Sequence, residues 1–156
     1  MKKKDYLLIG GLFIIILISF IWINLSQGKP STIAKVYHIN DVVIEVDFSK
    51  NTYQLYPQKV DNNYPKLIEP LSKEGADLAF VMLGDFFIGD RRTELIIEVD
   101  FDTKSIRIER DETPKQIGVN RNWYNGKGLP VVSLPNKVSI RFEQTNDDLD
   151  GVIWII

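Results

Sequence analysis

The feature that most constrains this chain is a run of eighteen residues near its start, 6–23, in which no side chain is charged. A helix rises 1.5 Å per residue, so the run would extend roughly 27 Å, close to the thickness of the hydrocarbon core of a bilayer. A helix also satisfies its own backbone hydrogen bonds in lipid. The run therefore predicts a transmembrane signal-anchor helix over residues 6–25.

The lysines around this run predict its orientation. Three lysines precede it at residues 2–4, whereas only Lys29 and Lys35 follow it closely. Positively charged flanks favour the cytoplasmic side of a membrane. A cleaved secretory signal is the alternative, but I-N-L-S-Q-G at 23–28 makes a poor cleavage site. The predicted parts are a cytoplasmic N-terminus (1–5), the helix (6–25), a linker (26–33) and an extracytoplasmic domain at the cell membrane (34–156).

Beyond the linker, apolar and polar residues alternate, which is the pattern of strands with one buried face. The alternation is strict in S-I-R-I-E-R at 105–110, so Ile106 and Ile108 are predicted to face the core. Residues 64–83 are predicted as the one helical stretch, either a short helix or two pieces, because Pro70 and Gly75 interrupt it. We expect an all-β domain, a small β-barrel or sandwich with at most one short helix. Strands are predicted at 36–39, 42–48, 52–56, 86–88, 97–101, 105–110, 131–134, 137–143 and 152–156.

A pentapeptide occurs twice in the domain. I-E-V-D-F stands at 44–48 and again at 97–101, and each copy runs into a polar turn and a further alternating strand. An ancient duplication of a hairpin would explain the repeat. Apolar–acidic alternation before a turn is also what unrelated hairpins share, and both explanations stay open.

The chain lacks the residue sets that common enzymes use. Without cysteine it forms no disulfide and no zinc–thiolate site. The single histidine, His38, is expected as a partly exposed strand residue without a catalytic partner. The acidic residues at 147–150 lack the closing glutamate of a calcium loop and are predicted as a solvated turn. No catalytic residue, metal site or cofactor is predicted, and the chain is expected not to be an enzyme.

Charge limits the class of partner. Outside residues 1–5 the chain carries 16 basic and 20 acidic residues. An acidic domain is a poor candidate for binding nucleic acid, which needs basic surface. The expected partners are therefore the lipid bilayer, through the helix, and an unknown membrane or surface protein.

One loop carries a concentration of residue types that dominate interaction hot spots. Arg121, Trp123, Tyr124 and Lys127 lie within N-R-N-W-Y-N-G-K-G at 120–128 and form the candidate binding patch. If Trp123 is exposed, the loop is a binding surface. If it is buried, it only closes one end of the domain.

The same region of the sequence resembles a known family. The chain has T-P-K-Q-I-G-V at 113–119, N-W at 122–123, Gly128, and V-V-S-L-P-N-K-V at 131–138. This order resembles the NusG domain II family, whose pattern is roughly C-P-x-K-x-C-V, G-W, G and I-V-C-L-P-N-R/K-V. The resemblance implies a small β-barrel-like domain. Through membrane-anchored members in Gram-positive bacteria, it also implies a connection to membrane-linked electron transfer.

The chain departs from that pattern at three positions. Thr113, Gly118 and Ser133 stand where the family has cysteines, so this member cannot perform thiol chemistry. The residues it keeps are of the kind that build a fold. The predicted function is a membrane-anchored, non-enzymatic accessory or binding module of a membrane or cell-surface complex. The alternative is a protein that holds a flavin or quinone through Arg121, Trp123 and Tyr124.

Overall fold

The computed structural model describes residues 3–26, 30–72 and 75–144, and these are mostly β. The chain divides into two compact units, of which Pro30–Gln144 is the β unit and α1 belongs to the other. The predicted strand 152–156, the acidic turn at 147–150 and linker residues 27–29 lie outside the described residues. The elements in order are α1 Lys3–Ser26, β1 Pro30–His38, β2 Asp41–Asp47, β3 Thr52–Leu55, β4 Lys66–Ile68, β5 Leu78–Ile88, β6 Arg91–Asp100, β7 Ser105–Asp111, α2 Ile117–Asn120, β8 Val131–Ser133 and β9 Val138–Gln144.

The helix α1 covers the uncharged run, and Ser19 satisfies its hydroxyl within it by donating to the Ile15 carbonyl over 2.9 Å. In the described part of the chain, however, no helix combines the length and the apolar character needed to cross a membrane. The predicted localisation, a single-pass anchor with a cytoplasmic N-terminus and an extracytoplasmic domain, is therefore wrong.

Two antiparallel sheets make up the β unit. One has the strand order β3-β2-β1-β9-β8 and the other the order β4-β5-β6-β7. The first strand of the unit lies at the centre of the larger sheet, where it pairs with β2 on one side and with the last strand, β9, on the other. The all-β prediction is confirmed, and within the described part of the unit the only helix is the four-residue α2.

Both sheets contribute to one hydrophobic core. Ile106 and Ile108 are fully buried, as the strict alternation of their strand predicts. Phe48, which follows β2, meets Phe101, which follows β6, edge to face with ring centroids 5.9 Å apart. These two phenylalanines are the last residues of the two pentapeptide copies. The copies occupy equivalent places before the β2–β3 and β6–β7 hairpins, one in each sheet.

The predicted helix over residues 64–83 is wrong. The segment contains β4 and the start of β5, joined by a connection that includes Pro70 and Gly75. From residue 80 onward the buried side chains recur with period two, because Phe80 and Met82 point into the core while Val81 between them is only partly buried. That spacing is typical of a strand. Antiparallel pairing with β6 along most of β5 holds the segment in the strand conformation.

Candidate functional site

The four residues of the candidate binding patch do not form one surface. Tyr124 is only 6% exposed and belongs to the core, where its ring meets Phe142 edge to face at 5.4 Å. Its backbone exchanges two 2.9 Å hydrogen bonds with Ile106 of β7. This bridge places Tyr124 inside and leaves its neighbour Trp123 facing outward and partly exposed.

The face of Trp123 is occupied by another side chain. The Arg107 guanidinium lies 4.4 Å from the centroid of the ring, in a cation–π contact. Arg121 is exposed and donates to the Leu129 carbonyl over 3.1 Å, and Lys127 is exposed as well. Trp123 therefore packs on Arg107, and this face of its ring is not free to bind a ligand.

Behind Arg107 lies a buried carboxylate, Glu98 of β6. Its Oε2 accepts from Arg107 Nη2 at 2.9 Å and from the Ser72 hydroxyl at 2.6 Å. Its Oε1 accepts the backbone N–H groups of Leu71 and Ser72, both at 2.9 Å. Burial raises the pKa of Glu98, but the hydrogen bonds from Ser72 and Arg107 outweigh it and hold that pKa below its ordinary value. The Glu98–Arg107 pair therefore holds the β4–β5 connection, through Leu71 and Ser72, against the sheet β4-β5-β6-β7.

A cleft of about 300 Å³, here called the Ser133 cleft, opens beside the turn between β8 and β9. Leu134 is 75% exposed at this cleft and Ile117 of α2 is 59% exposed. Ser133 is 1% exposed, and its hydroxyl has no hydrogen-bond partner among the described residues. The cleft therefore presents apolar side chains to solvent, while the Ser133 hydroxyl itself is closed to solvent. Its lining residues are Thr113, Lys115, Ile117, Ser133, Leu134 and Pro135.

The three positions at which the NusG domain II pattern has cysteines lie around this cleft. Thr113 and Ser133 line it. Gly118, in the neighbouring α2, is packed so closely that a Cβ there would lie 2.7 Å from Ile108 Cδ1 and 3.4 Å from the Val132 carbonyl oxygen. The sequence identified these positions only through the resemblance, and it did not identify Lys115, Ile117 or Leu134. The signal that could have found the cleft is Leu134, a large apolar residue placed in a turn.

Next to the cleft, Asn136 fills a buried polar site between the sheets. Its Nδ2 donates to Asp111 Oδ1 over 2.9 Å, and its Oδ1 accepts from the Thr93 hydroxyl at 2.6 Å and from the Phe86 N–H at 3.1 Å. A Cβ on Gly84 would lie 2.0 Å from Asn136 Oδ1, which explains why a glycine stands there. One side chain of the β8–β9 turn is thus bonded to β5, β6 and β7.

His38 is not the partly exposed strand residue that the sequence predicts. It is 4% exposed. Its Nδ1 lies 3.1 Å from Gln58 Nε2, and its Nε2 lies 3.3 Å from Asp85 Oδ1. Gln58 is oriented by Leu83, whose N–H donates to Oε1 and whose carbonyl accepts from Nε2. The expectation was wrong because the two residues that enclose the histidine come from distant parts of the chain.

This geometry favours the neutral form of His38. Gln58 Nε2 has a hydrogen left to donate to Nδ1, so Nδ1 accepts and the ring carries its proton on Nε2, toward Asp85. Burial lowers the pKa of His38 below its ordinary value of 6.5, although the nearby Asp85 carboxylate opposes this. Hydrogen bonds from Lys137 and Arg92 outweigh burial and hold the pKa of Asp85 below its ordinary value.

We expect His38 to make the stability of the β unit depend on pH. Because the pKa of the folded state is lowered, the unfolded chain takes up a proton near pH 6.5 while the folded chain does not. The free energy of unfolding should therefore fall as the pH drops below 6.5, by up to about 1.4 kcal/mol per pH unit. Urea unfolding between pH 7.5 and 5.5 measures this.

His38→Asn provides the control, because His38 is the one histidine in the chain. The variant should lose the dependence in this pH range. An equal slope in both proteins would show that another group is responsible.

Metal-binding side chains are not grouped in this structure. Within residues 3–26, 30–72 and 75–144, no set of three or more histidine, aspartate or glutamate side chains is arranged to hold an ion. The buried acids Glu98 and Asp111 are instead engaged with an arginine and an asparagine.

The solved structures that are similar to this chain include two of one protein. No family model and no curated protein matches the chain. The chain is similar to the crystal structure of the Lin0431 protein from Listeria innocua, with 21% identity and a TM-score of 0.45, over 72% of this chain and 95% of that chain. The solution NMR structure of that protein gives 20% identity and a TM-score of 0.44, over 80% and 87%. Similarities of this size carry no argument here, so the resemblance to NusG domain II stays a prediction.

Proposed function

We propose that this chain is a non-enzymatic accessory module that binds a partner protein through the Ser133 cleft. The observation that carries the proposal is the pair of exposed apolar side chains at this cleft, Leu134 at 75% and Ile117 at 59% exposure. A partner that covers both side chains removes apolar surface from water, which favours binding.

The state of His38 supports a function without catalysis. A general base must reach the proton that it abstracts. His38 is buried, its Nδ1 accepts a hydrogen bond from Gln58, and its Nε2 faces a carboxylate held by Arg92 and Lys137. These contacts orient β1 against β5 and leave the imidazole closed to a substrate.

The alternative, flavin or quinone binding by Arg121, Trp123 and Tyr124, gains no support from the geometry. Tyr124 lies in the core, and Arg107 covers the face of Trp123. For the fold, two sheets over a shared core favour a sandwich over a closed barrel, within the NusG domain II plan that the sequence resembles.

Selection from a phage-displayed library of random peptides tests the proposal. Peptides enriched on the full chain should bind the Leu134→Asp variant at least tenfold more weakly, because the charge disrupts the apolar edge of the cleft. Leu129→Asp is the matched control, since Leu129 is equally exposed, at 78%, and does not line the cleft. Equal binding to all three proteins, or no enriched peptide, would reject the cleft as the binding site.

A further inference from the structure

The side chain of Gln58 takes the place of a neighbouring strand at the edge of the four-stranded sheet. The pairing of β4 with β5 begins at Lys66, opposite Val81. Beyond it, the Leu83 N–H donates to Gln58 Oε1 over 2.8 Å, and the Leu83 carbonyl accepts from Gln58 Nε2 at 2.9 Å. These two bonds fix the orientation of the amide, because exchanging its oxygen and nitrogen would break both.

The same amide determines which protonation state of His38 fits beside it. The second hydrogen on Gln58 Nε2 is left to donate to His38 Nδ1, which lies 3.1 Å away. A further proton on the ring would bind at Nδ1, and two donors would then face each other over this distance. The amide could accept from the protonated ring only by turning its oxygen toward Nδ1, which breaks both bonds to Leu83.

Charged groups surround the other side of the His38 ring. Asp85 of β5 lies 3.3 Å from Nε2, and its carboxylate is held by Arg92 of β6 at 2.8 Å and by Lys137 of the β8–β9 turn at 2.9 Å. Burial lowers the pKa of His38, Asp85 opposes this, and the two cations add to the lowering. The carboxylate therefore faces the proton already on Nε2, and the ring is neutral at pH 7.5.

Gln58 is also the buried anchor of the β3–β4 connection, residues 56–65. It is fully buried, whereas Lys59 beside it is exposed. Its backbone N–H donates to the Tyr64 carbonyl over 2.7 Å, which joins the two ends of the connection. The ion pair of Lys59 with Asp41, at the start of the neighbouring β2, lies at the surface and stabilises little. One side chain thus contacts His38 and anchors the connection.

We propose that a proton on His38 opens the β3–β4 connection by displacing the Gln58 amide from Leu83. At neutral pH the ring is unprotonated and the connection is closed. Below pH 6.5 the open form, whose imidazole is released from these contacts, binds a proton more tightly than the closed form. The ratio of open to closed form should then rise by up to about tenfold per pH unit. Opening uncovers the Leu83 N–H and carbonyl, which become an unpaired sheet edge.

Hydrogen exchange of the Leu83 amide in the full chain, followed by NMR at pH 7.5 and 5.5, tests this switch. After correction for the intrinsic exchange rate, the protection of Leu83 should fall several-fold, and by up to about tenfold, at the lower pH. Leu83 should also exchange faster than Ile106, whose N–H donates to the Tyr124 carbonyl in the core. Equal protection of the two amides at both pH values would overturn the proposal, because the whole β unit would then be unfolding.

Two substitutions separate the roles of the histidine and the amide. In His38→Asn the side chain cannot take up a proton, so the protection of Leu83 should be the same at both pH values. Gln58→Met should give low protection of Leu83 at both. Gln54→Met is the matched control, because Gln54 is exposed in β3 and its loss should leave the behaviour of the unmodified protein. A fall in protection that persists in His38→Asn, or no fall in the unmodified protein, would overturn the proposal.

Discussion

Replacing Asn136 with alanine is expected to lower the free energy of unfolding by about 4 kcal/mol. The change removes three buried hydrogen bonds, to Asp111, Thr93 and Phe86. After the change, Asp111 Oδ1 accepts a hydrogen bond only from the Thr113 N–H. Asp111 Oδ2 already lacks a hydrogen-bond partner among the described residues. Urea unfolding followed by the amide NMR signals of β6 and β9 measures the effect.

Asn62→Ala is the matched control, because Asn62 is exposed in the connection between β3 and β4. It should change stability by less than about 0.5 kcal/mol. A loss at Asn136 that is no larger than the loss at Asn62 would mean that the buried polar site does not stabilise the sheets.

Glu98→Ala should lower the free energy of unfolding by about 3–4 kcal/mol, since breaking a buried ion pair leaves the remaining charge without compensation. Arg107 has only 17% of its side chain exposed, and the N–H groups of Leu71 and Ser72 lose their acceptor as well. We also expect the β4–β5 connection to become open to proteolysis. Limited trypsin digestion and urea unfolding measure the two effects.

Glu109 gives a sharp control for this pair. It contacts the same atom of the same arginine, Arg107 Nη2, at 2.6 Å, but it is 30% exposed. An exposed ion pair is worth about 0–1 kcal/mol, so Glu109→Ala should have a small effect. Similar losses in the two variants would contradict the assignment of the stabilisation to the buried carboxylate.

Sequence patterns predict most of the strands because alternation is a local property. The burial of Ile106 and Ile108 followed from it directly, and so did the β1–β2–β3 and β8–β9 hairpins. The prediction for segment 64–83 failed because the apolar residues there are frequent and are interrupted by proline. Their spacing therefore fits a helix and a strand equally well. Pairing of β5 with β6, a tertiary interaction, decides between them.

The candidate site was much less predictable. Trp123 and Tyr124 are adjacent and similar in type, and only the bridge to Ile106 places one in the core and one outside. The partners of Asn136 lie 50, 43 and 25 residues away in sequence. No local pattern shows that such residues meet, so the polar cluster and the Ser133 cleft beside it were visible only in three dimensions.

The position of β1 has a consequence for how the protein is made. β1 pairs with β2 through a short turn, yet its other edge pairs with β9, from the last part of the unit. A ribosome therefore releases a three-stranded half-sheet, β1 to β3, and the free edge of β1 stays unpaired until the 82 residues at 56–137, which precede β9, have been synthesised. The exposed edge of β1 is then the part of the nascent chain most in need of a chaperone, and truncations before β9 should be recovered as aggregates.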